Sequence, residues 1–281
     1  MAKTNKDKDL ARLEFAVDLA VRAGNVAMRY YNSSYRKNEG VNEEKNRSTL
    51  ADHEAQHEII KALQLHPIYG KEEIIAEEGN FKNTTPVKSG ITWVIDALDG
   101  TTNFDNRIPL FCTAIGALKN GKPWLGVVFD MLANEVYYAM DGHPTKVWNI
   151  NQGTDLKVRT ARNILKLKHS ILATHISAIK EKARPLFENN LLMTIQQEVR
   201  TIRNLGCGQL ALAYLAAGRI HTFFQIRAHI WDQLAGIVLI KNAGGIVTEL
   251  DGSEWKHNSK DFIASANKTI HSKFIKLIEK R

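Results

Sequence analysis

Trp93-Val94-Ile95-Asp96-Ala97-Leu98-Asp99-Gly100-Thr101-Thr102-Asn103-Phe104 is an apolar run that ends in two carboxylates three residues apart and a Gly-Thr-Thr turn. A strand ending at Asp96 delivers both Asp side chains and the carbonyl of Leu98 to one point, the all-oxygen donor set that Mg²⁺ prefers. Gly100 permits a sharp turn. A helical turn starting at Thr101 would aim the free amides of Gly100, Thr101 and Thr102 at the same spot, where they can hold a phosphate oxygen. Alone, the segment also fits a plain strand and Asx-turn, since Asp, Thr and Asn fill caps for local reasons.

Other carboxylates break the tie. Glu77 and Glu78 follow the apolar Ile74-Ile75-Ala76, and Asp232 follows Trp231 at the head of Gln233-Leu234-Ala235-Gly236-Ile237-Val238-Leu239-Ile240. Each stands at the end or beginning of a predictable element, and with Asp96 and Asp99 they make a set.

That set resembles the inositol monophosphatase family of Mg²⁺-dependent, lithium-sensitive phosphatases, over nearly the whole chain. Asp96 to Phe104 is similar to the family's D-P-[IL]-D-G-T-x-N-F, Ala76-Glu77-Glu78 to its G-E-E and Trp231 to Gly236 to its W-D-x-A-A-G. Thr49 to Asp52, Arg203 to Gly206 and Ala243 to Gly245 resemble its T-x-x-D, R-x-x-G and A-G-G. The resemblance implies two metal positions, one on Glu77, Asp96, the Leu98 carbonyl and Asp99, the other on Asp96, Asp99 and Asp232, with a third, weaker ion on Glu77. It implies that Thr101, paired with Asp52, orients and helps deprotonate the attacking water, while two ions clamp the attacking and leaving oxygens. Gly100, Thr101, Thr102, Gly206, Gln225 and Asp232 then fall on the substrate side. The implied fold is α+β, a layered α/β/α/β/α sandwich, and the implied assembly a homodimer.

Departures from the family pattern bear on the substrate. Ala97 replaces a Pro, which leaves both carboxylates in place. Gln225 stands where many inositol phosphatases carry a Glu that accepts from substrate hydroxyls; the amide keeps an acceptor and loses the charge. Cys207, Gly208, Gln209 and Ala211 also differ from the usual residues of a segment that lines or supports the pocket in relatives. The resemblance therefore implies hydrolysis of inositol monophosphate or a similar small sugar phosphate. Fructose 1,6-bisphosphatases of archaeal type share G-T-x-N-F and are the nearest rival; nucleotide 3′-phosphatases tend to read G-T-x-E-F. A reading of another class is a basic RNA- or protein-binding protein that keeps the phosphatase scaffold.

His53-Glu54-Ala55-Gln56-His57 matches the H-E-x-x-H zinc-peptidase pattern. Ala51, Ala55, Ile59, Ala62 and Leu63 form the apolar stripe of this helix, and a residue two away from Ala55 lies about 200° round it. His53 and His57 thus face outward and read as a solvated face, not the shielded cleft of a catalytic zinc.

With 281 residues, 44% of them hydrophobic, the chain can bury a large core, in one domain or two intimate halves. We expect an N-terminal α+β half, 1–150, with most metal ligands, and a C-terminal α/β half, 151–281, with Asp232 and the substrate side. Met1 to Asp9 lacks the apolar region of a signal peptide, and no run approaches the roughly 18 apolar residues of a membrane span, so the expectation is a cytoplasmic protein. Cys112 and Cys207 read as buried free thiols. The net charge of +8 suits phosphate esters or loose nucleic-acid contact, without an RNA motif to choose the latter.

Periodicity predicts helices over Leu10–Tyr31 and Asp52–Leu65, then strands over Glu73–Ala76, Thr92–Asp96, Phe111–Lys119, Trp124–Asp130 and Glu135–Met140, with a hairpin turn at Asn120-Gly121. Beyond His169 strands and helices alternate: strand to Thr174, helix Ala178–Glu188, strand near Val199, helix Gly206–Ala217, strand His221–Gln225 and helix Trp231–Asn242. Strands Gly245–Glu249 and Phe262–Ala264 precede an amphipathic helix bearing Ile270, Phe274, Ile275, Leu277 and Ile278.

Overall fold

The run that carries the paired carboxylates forms β2 (Ile91–Asp99), buried along its whole length. The computed structural model describes residues 5–32, 47–83, 85–86, 88–175 and 191–279. β1 (Glu73–Ala76) pairs in parallel with β2. On its other edge β3 (Cys112–Lys119), β4 (Lys122–Asp130), β5 (Glu135–Met140), β6 (Lys146–Asn149) and β7 (Thr154–Lys157) follow as an antiparallel meander, completing seven strands in sequence order. The Asn120-Gly121 turn has φ of 54° and 74°, the left-handed pair that a tight hairpin requires.

β2 runs past its expected end at Asp96 because it contains a bulge. Asp96 pairs with Ala114 and Asp99 with Cys112, so three steps on β2 answer two on β3. Ala97 and Leu98 both turn into the core on one side of the sheet, where Trp93 and Ile95 also point. In an unbroken strand residues three apart point to opposite faces; the extra residue brings Asp99 back to the face of Asp96.

The Trp93 face is covered by α1 (Asn5–Asn32) and α2 (Arg47–Leu65), whose Leu19, Ala23, Ala55, Ile59 and Leu63 pack on Trp93, Ile95, Ile115 and Val127. After β2 a single short helix, α3 (Thr101–Asp105), turns the chain. The second half opens with β8 (Ile171–His175), followed by α4 (Leu191–Glu198), β9 (Thr201–Asn204), α5 (Gly208–Ala216), β10 (Thr222–Gln225) and α6 (Leu234–Asn242). β11 (Ile246–Glu249), β12 (Phe262–Ser265) and α7 (Lys268–Glu279) end it. Its sheet has the order β11-β12-β10-β8-β9, with β9, β8 and β10 parallel and β12 antiparallel to both its neighbours.

α5 and α6 lie between the sheets. Their Leu210, Leu212, Ile237 and Leu239 share a core with Val94, Val128 and Tyr137 of the first sheet and Phe223 and Phe262 of the second. α4 and α7 close the outer face, with Ile195, Ile270 and Phe274 against Leu172, Phe224 and Ile263. The expected α/β/α/β/α sandwich is therefore the observed one. The helix expected over residues 178–188 lies outside the described residues. The strand expected near Val199 begins at Thr201, behind a helix the pattern did not reveal, and α6 starts at Leu234 because Trp231 to Gln233 form a turn.

Candidate active site

Glu77, Asp96 and Asp232 offer carboxylate oxygens that all lie within 4.8 Å of one another. Glu77 stands one residue past β1, its N–H donating to the Ile95 carbonyl at 3.3 Å. Asp96 comes from β2, and Asp232 from the turn before α6, where its Oδ2 accepts the His229 N–H at 2.6 Å. Asp96 Oδ1 is buried without a hydrogen-bond partner. Burial, then the charges of Asp99 and Glu78, pushes Glu77 up to about 7 against the pull of Lys82. Burial pushes Asp232 up to about 7 as well, opposed by the His229 amide and reinforced by Asp99 and Glu77. Asp96 is raised by burial, then by Glu77 and Asp99. Carboxylates so placed resist ionising together unless a cation joins them. The oxygen-only set and the orphaned oxygen fit a hard divalent ion such as Mg²⁺.

Asp99 is aimed differently. Its Oδ2 accepts the Gln209 N–H at 2.6 Å and faces the Cys207 thiol at 3.2 Å, so it caps α5 from across a layer boundary. It stands outside the close trio, although its charge raises both Glu77 and Asp232. Leu98 sends its side chain into the α1/α2 core. Cys112 and Cys207 are buried free thiols with sulfurs 3.6 Å apart.

Asp52 projects from α2 and is only 4% exposed, with Oδ1 buried and unpartnered. Burial and then Glu77, Glu78 and Asp99 raise its pKa. One turn on, Gln56 clamps the peptide of Glu78: Nε2 donates to the carbonyl at 2.9 Å and Oε1 accepts the N–H at 3.0 Å. That clamp fixes the turn bearing Glu77. Sequence reasoning missed it, because Gln56 sits inside the H-E-x-x-H pattern and its partner, the Glu78 peptide, is 22 residues away. His53 and His57 are exposed as expected, with His53 Nε2 3.9 Å from Glu78 Oε2.

Gly100 has φ 94°, and a β-carbon there would lie 2.8 Å from the Leu110 carbonyl. Its own carbonyl accepts from Phe104 N–H at 2.9 Å, closing α3 with Thr101 and Thr102 exposed on the first turn. Buried Asn103 donates to the carbonyls of Leu110 at 2.6 Å and Leu205 at 2.7 Å. Gly206, φ 65°, packs against that amide. Gln209 is a clamp and not a pocket wall: Nε2 donates to the Trp231 carbonyl at 2.5 Å and Oε1 accepts the Gly236 N–H at 2.8 Å, fixing the turn of Asp232. Ala211 is core. Gln225 ends β10 with Oε1 buried and unpartnered. His175, at the end of β8, drew no notice in the sequence, yet its charge bears on Asp99.

The inositol monophosphatase family model matches residues 9–281. The chain is 31% identical over 269 residues to the fructose-1,6-bisphosphatase/inositol-1-monophosphatase of Thermotoga maritima, covering 95% of each. It is 34% identical over 241 residues to the Nus factor SuhB of Escherichia coli K12, covering 85% of each. Among solved structures, an IMPase of Thermotoga maritima superposes with a TM-score of 0.77 at 29% identity, over 96% of this chain and 97% of that one. The extragenic suppressor protein suhB of Bartonella henselae gives 0.79 at 27% identity, over 96% and 99%.

Proposed function

Since the chain belongs to the inositol monophosphatase family, we propose that it is a Mg²⁺-dependent phosphomonoesterase acting on inositol monophosphate or a similar small sugar phosphate. The observation that carries the reading is the trio of Glu77, Asp96 and Asp232 around an orphaned carboxylate oxygen. Two to three Mg²⁺ ions held there would supply Lewis acidity, acidifying water and neutralising phosphoryl oxygens. Glu77, Asp96 and Asp232 would hold the ions, with Asp99 and the Leu98 carbonyl as further ligands. With the neighbouring carboxylates neutralised by cations, Asp52 would be free to ionise and to accept the proton of the attacking water through the Thr101 hydroxyl, assisted by Glu77. The amides of Gly100, Thr101 and Thr102 orient the phosphoryl group, while Gly206 and Gln225 take the polyol side.

Phosphate release from inositol 1-phosphate, fructose 1,6-bisphosphate and adenosine 3′,5′-bisphosphate, each with Mg²⁺, with EDTA and with added Li⁺, tests this. Mg²⁺-dependent, Li⁺-inhibited release is the expected result, and the preferred ester fixes the branch. Absence of release from all three removes the reading. The name of the Thermotoga maritima relative makes the bisphosphate the first alternative. We extend the proposal to a cytoplasmic homodimer; a solution mass near 31.6 kDa would leave it a monomer. No helix among the described residues is long and apolar enough to cross a membrane.

A second reading, a basic protein that binds RNA or protein partners, is favoured by relatives named Nus factor SuhB and by the net charge of +8. It predicts salt-sensitive RNA binding that Asp99→Asn leaves unchanged.

A further inference from the structure

Cys112 opens β3 and stands opposite Asp99 in the register of β2 on β3, so the bulge that turns Asp99 also sets it beside a thiol. Cys207 reaches the same point from the layer between the sheets, as the residue that precedes α5. Gly100 makes room for it: a β-carbon there would lie 3.2 Å from the Cys207 β-carbon. Cys112 Sγ, Cys207 Sγ and an Asp99 carboxylate oxygen all lie within 4.8 Å of one another, and all three residues are buried. The sulfurs are 3.6 Å apart, and Cys207 Sγ is 3.2 Å from Asp99 Oδ2 and 3.4 Å from the Asp99 carbonyl. Zinc bonds of about 2.3 Å to sulfur and about 2.0 Å to oxygen put two sulfurs of a tetrahedron about 3.8 Å apart, and a sulfur and an oxygen about 3.5 Å apart. The donors therefore stand within a few tenths of an ångström of the corners of one tetrahedron, with the Asp99 carbonyl or a water for the fourth.

The donor chemistry selects the ion. Thiolate sulfur is a soft ligand that suits zinc-class ions, whereas Mg²⁺ keeps to oxygen, so this set differs in kind from the trio of Glu77, Asp96 and Asp232. A coordinated thiol gives up its proton outright, so entry of the ion releases one proton from each cysteine. Two thiolates and a carboxylate around a dication leave one negative charge, which the N-terminal end of α5, where Cys207 stands, favours. We propose that Cys112, Cys207 and Asp99 form a site for a thiophilic divalent ion of the zinc class. Asp99 borders both sites and couples them. An ion held by the thiolates takes the charge of Asp99 for itself and weakens Mg²⁺ binding next door, so zinc-class ions inhibit through two cysteines that are no part of the Mg²⁺ set. That inhibition rests on the phosphatase reading; the site itself does not.

The test titrates Cd²⁺, whose thiolate complexes have an ultraviolet charge-transfer band, into the Mg²⁺-loaded protein kept reduced by a phosphine. The chain has two cysteines, so any such band reports this pair. The expected result is a band that saturates at one equivalent of Cd²⁺ per chain, together with a rise in Tm. Cys112→Ala should need more than about a hundredfold more Cd²⁺ to reach it, since loss of even an outer partner of a ligand weakens metal binding 10- to 100-fold or so. Binding without the band places Cd²⁺ on carboxylates alone and overturns the site. A band that comes with a fall in Tm means that the ion opens the fold to reach the thiols, and overturns it too. Should Cys112→Ala fail to fold, the cadmium NMR resonance of the parent decides, since sulfur and oxygen ligands place it far apart. Zn²⁺ at fixed Mg²⁺ is expected to inhibit phosphate release by the parent at far lower concentration than by Cys112→Ala; equal inhibition overturns the coupling through Asp99. A parent inactive on every ester removes the phosphatase reading and leaves the site to the spectroscopic result.

Discussion

Asp99 caps a helix and also borders the cation site, and substitution separates the two roles. Asp99→Asn keeps an acceptor for the Gln209 amide, so the expected outcome is a melting temperature near the parent's with turnover abolished; retained full activity would falsify the ligand role. Asp99→Ala removes the acceptor too and should cost a further 0.5–2 kcal/mol or so. Protonation offers a second handle. In the metal-free protein Glu77 and Asp232 have folded-state pKa values of about 7, above their ordinary 4.5 and 3.8. Between those values the folded state binds more protons than the unfolded one, so stability falls as pH rises towards 7 and levels off above it. Mg²⁺ competes with the same protons, so it should raise Tm more at about pH 8 than at about pH 5.5. A metal-free Tm that climbs over that interval contradicts this placement of charge. The carboxylates were legible in the sequence because each stands at the edge of an apolar run. Gln56 and Asn103 were not, because their partners are 22 and 102 residues away and nothing local marks them. His175 was hidden for the same reason: only the register of β8 on β10 sets it beside Gln225.

Between elements, α5 and α6 approach each other closely at Gly236. A β-carbon on Gly236 would lie 2.3 Å from the Leu212 β-carbon, which has no flexible end to yield. Gly236→Ala should therefore destabilise by about 1–3 kcal/mol in urea unfolding through overpacking. A neutral effect would mean that the helices part more readily than this geometry allows. Strands such as β1 and β5 were legible to the residue, since short apolar or alternating runs are bounded by turn formers. β6 and β7 were not: each has four residues and no fully buried side chain, and pairing to β5 and to each other holds them. α4 escaped for a related reason, with Ile195 its one fully buried side chain among those described and Met193, Gln196 and Gln197 exposed. Elements that owe their existence to a neighbour leave little trace in their own pattern.

At the scale of the molecule, a net charge of +8 surrounds a buried acidic site. Anionic esters should be drawn in at long range, so raising ionic strength from about 0.01 to 0.1 M, which shortens the screening length from about 30 to 10 Å, should lower kcat/KM more than kcat. Equal effects on both constants would count against steering. The origin of the acidic groups carries a further consequence. Asp52 rides on the outer helix layer, Glu77 and Asp96 on the first sheet, and Asp232 at the head of a helix between the sheets. Their mutual repulsion strains the seams between those layers, and a divalent ion shared among them works as a rivet. Chelation should then quicken amide hydrogen exchange in α2 and the first turn of α6 while the centre of β4 keeps its protection, so that the protein loosens along its layer boundaries before it unfolds.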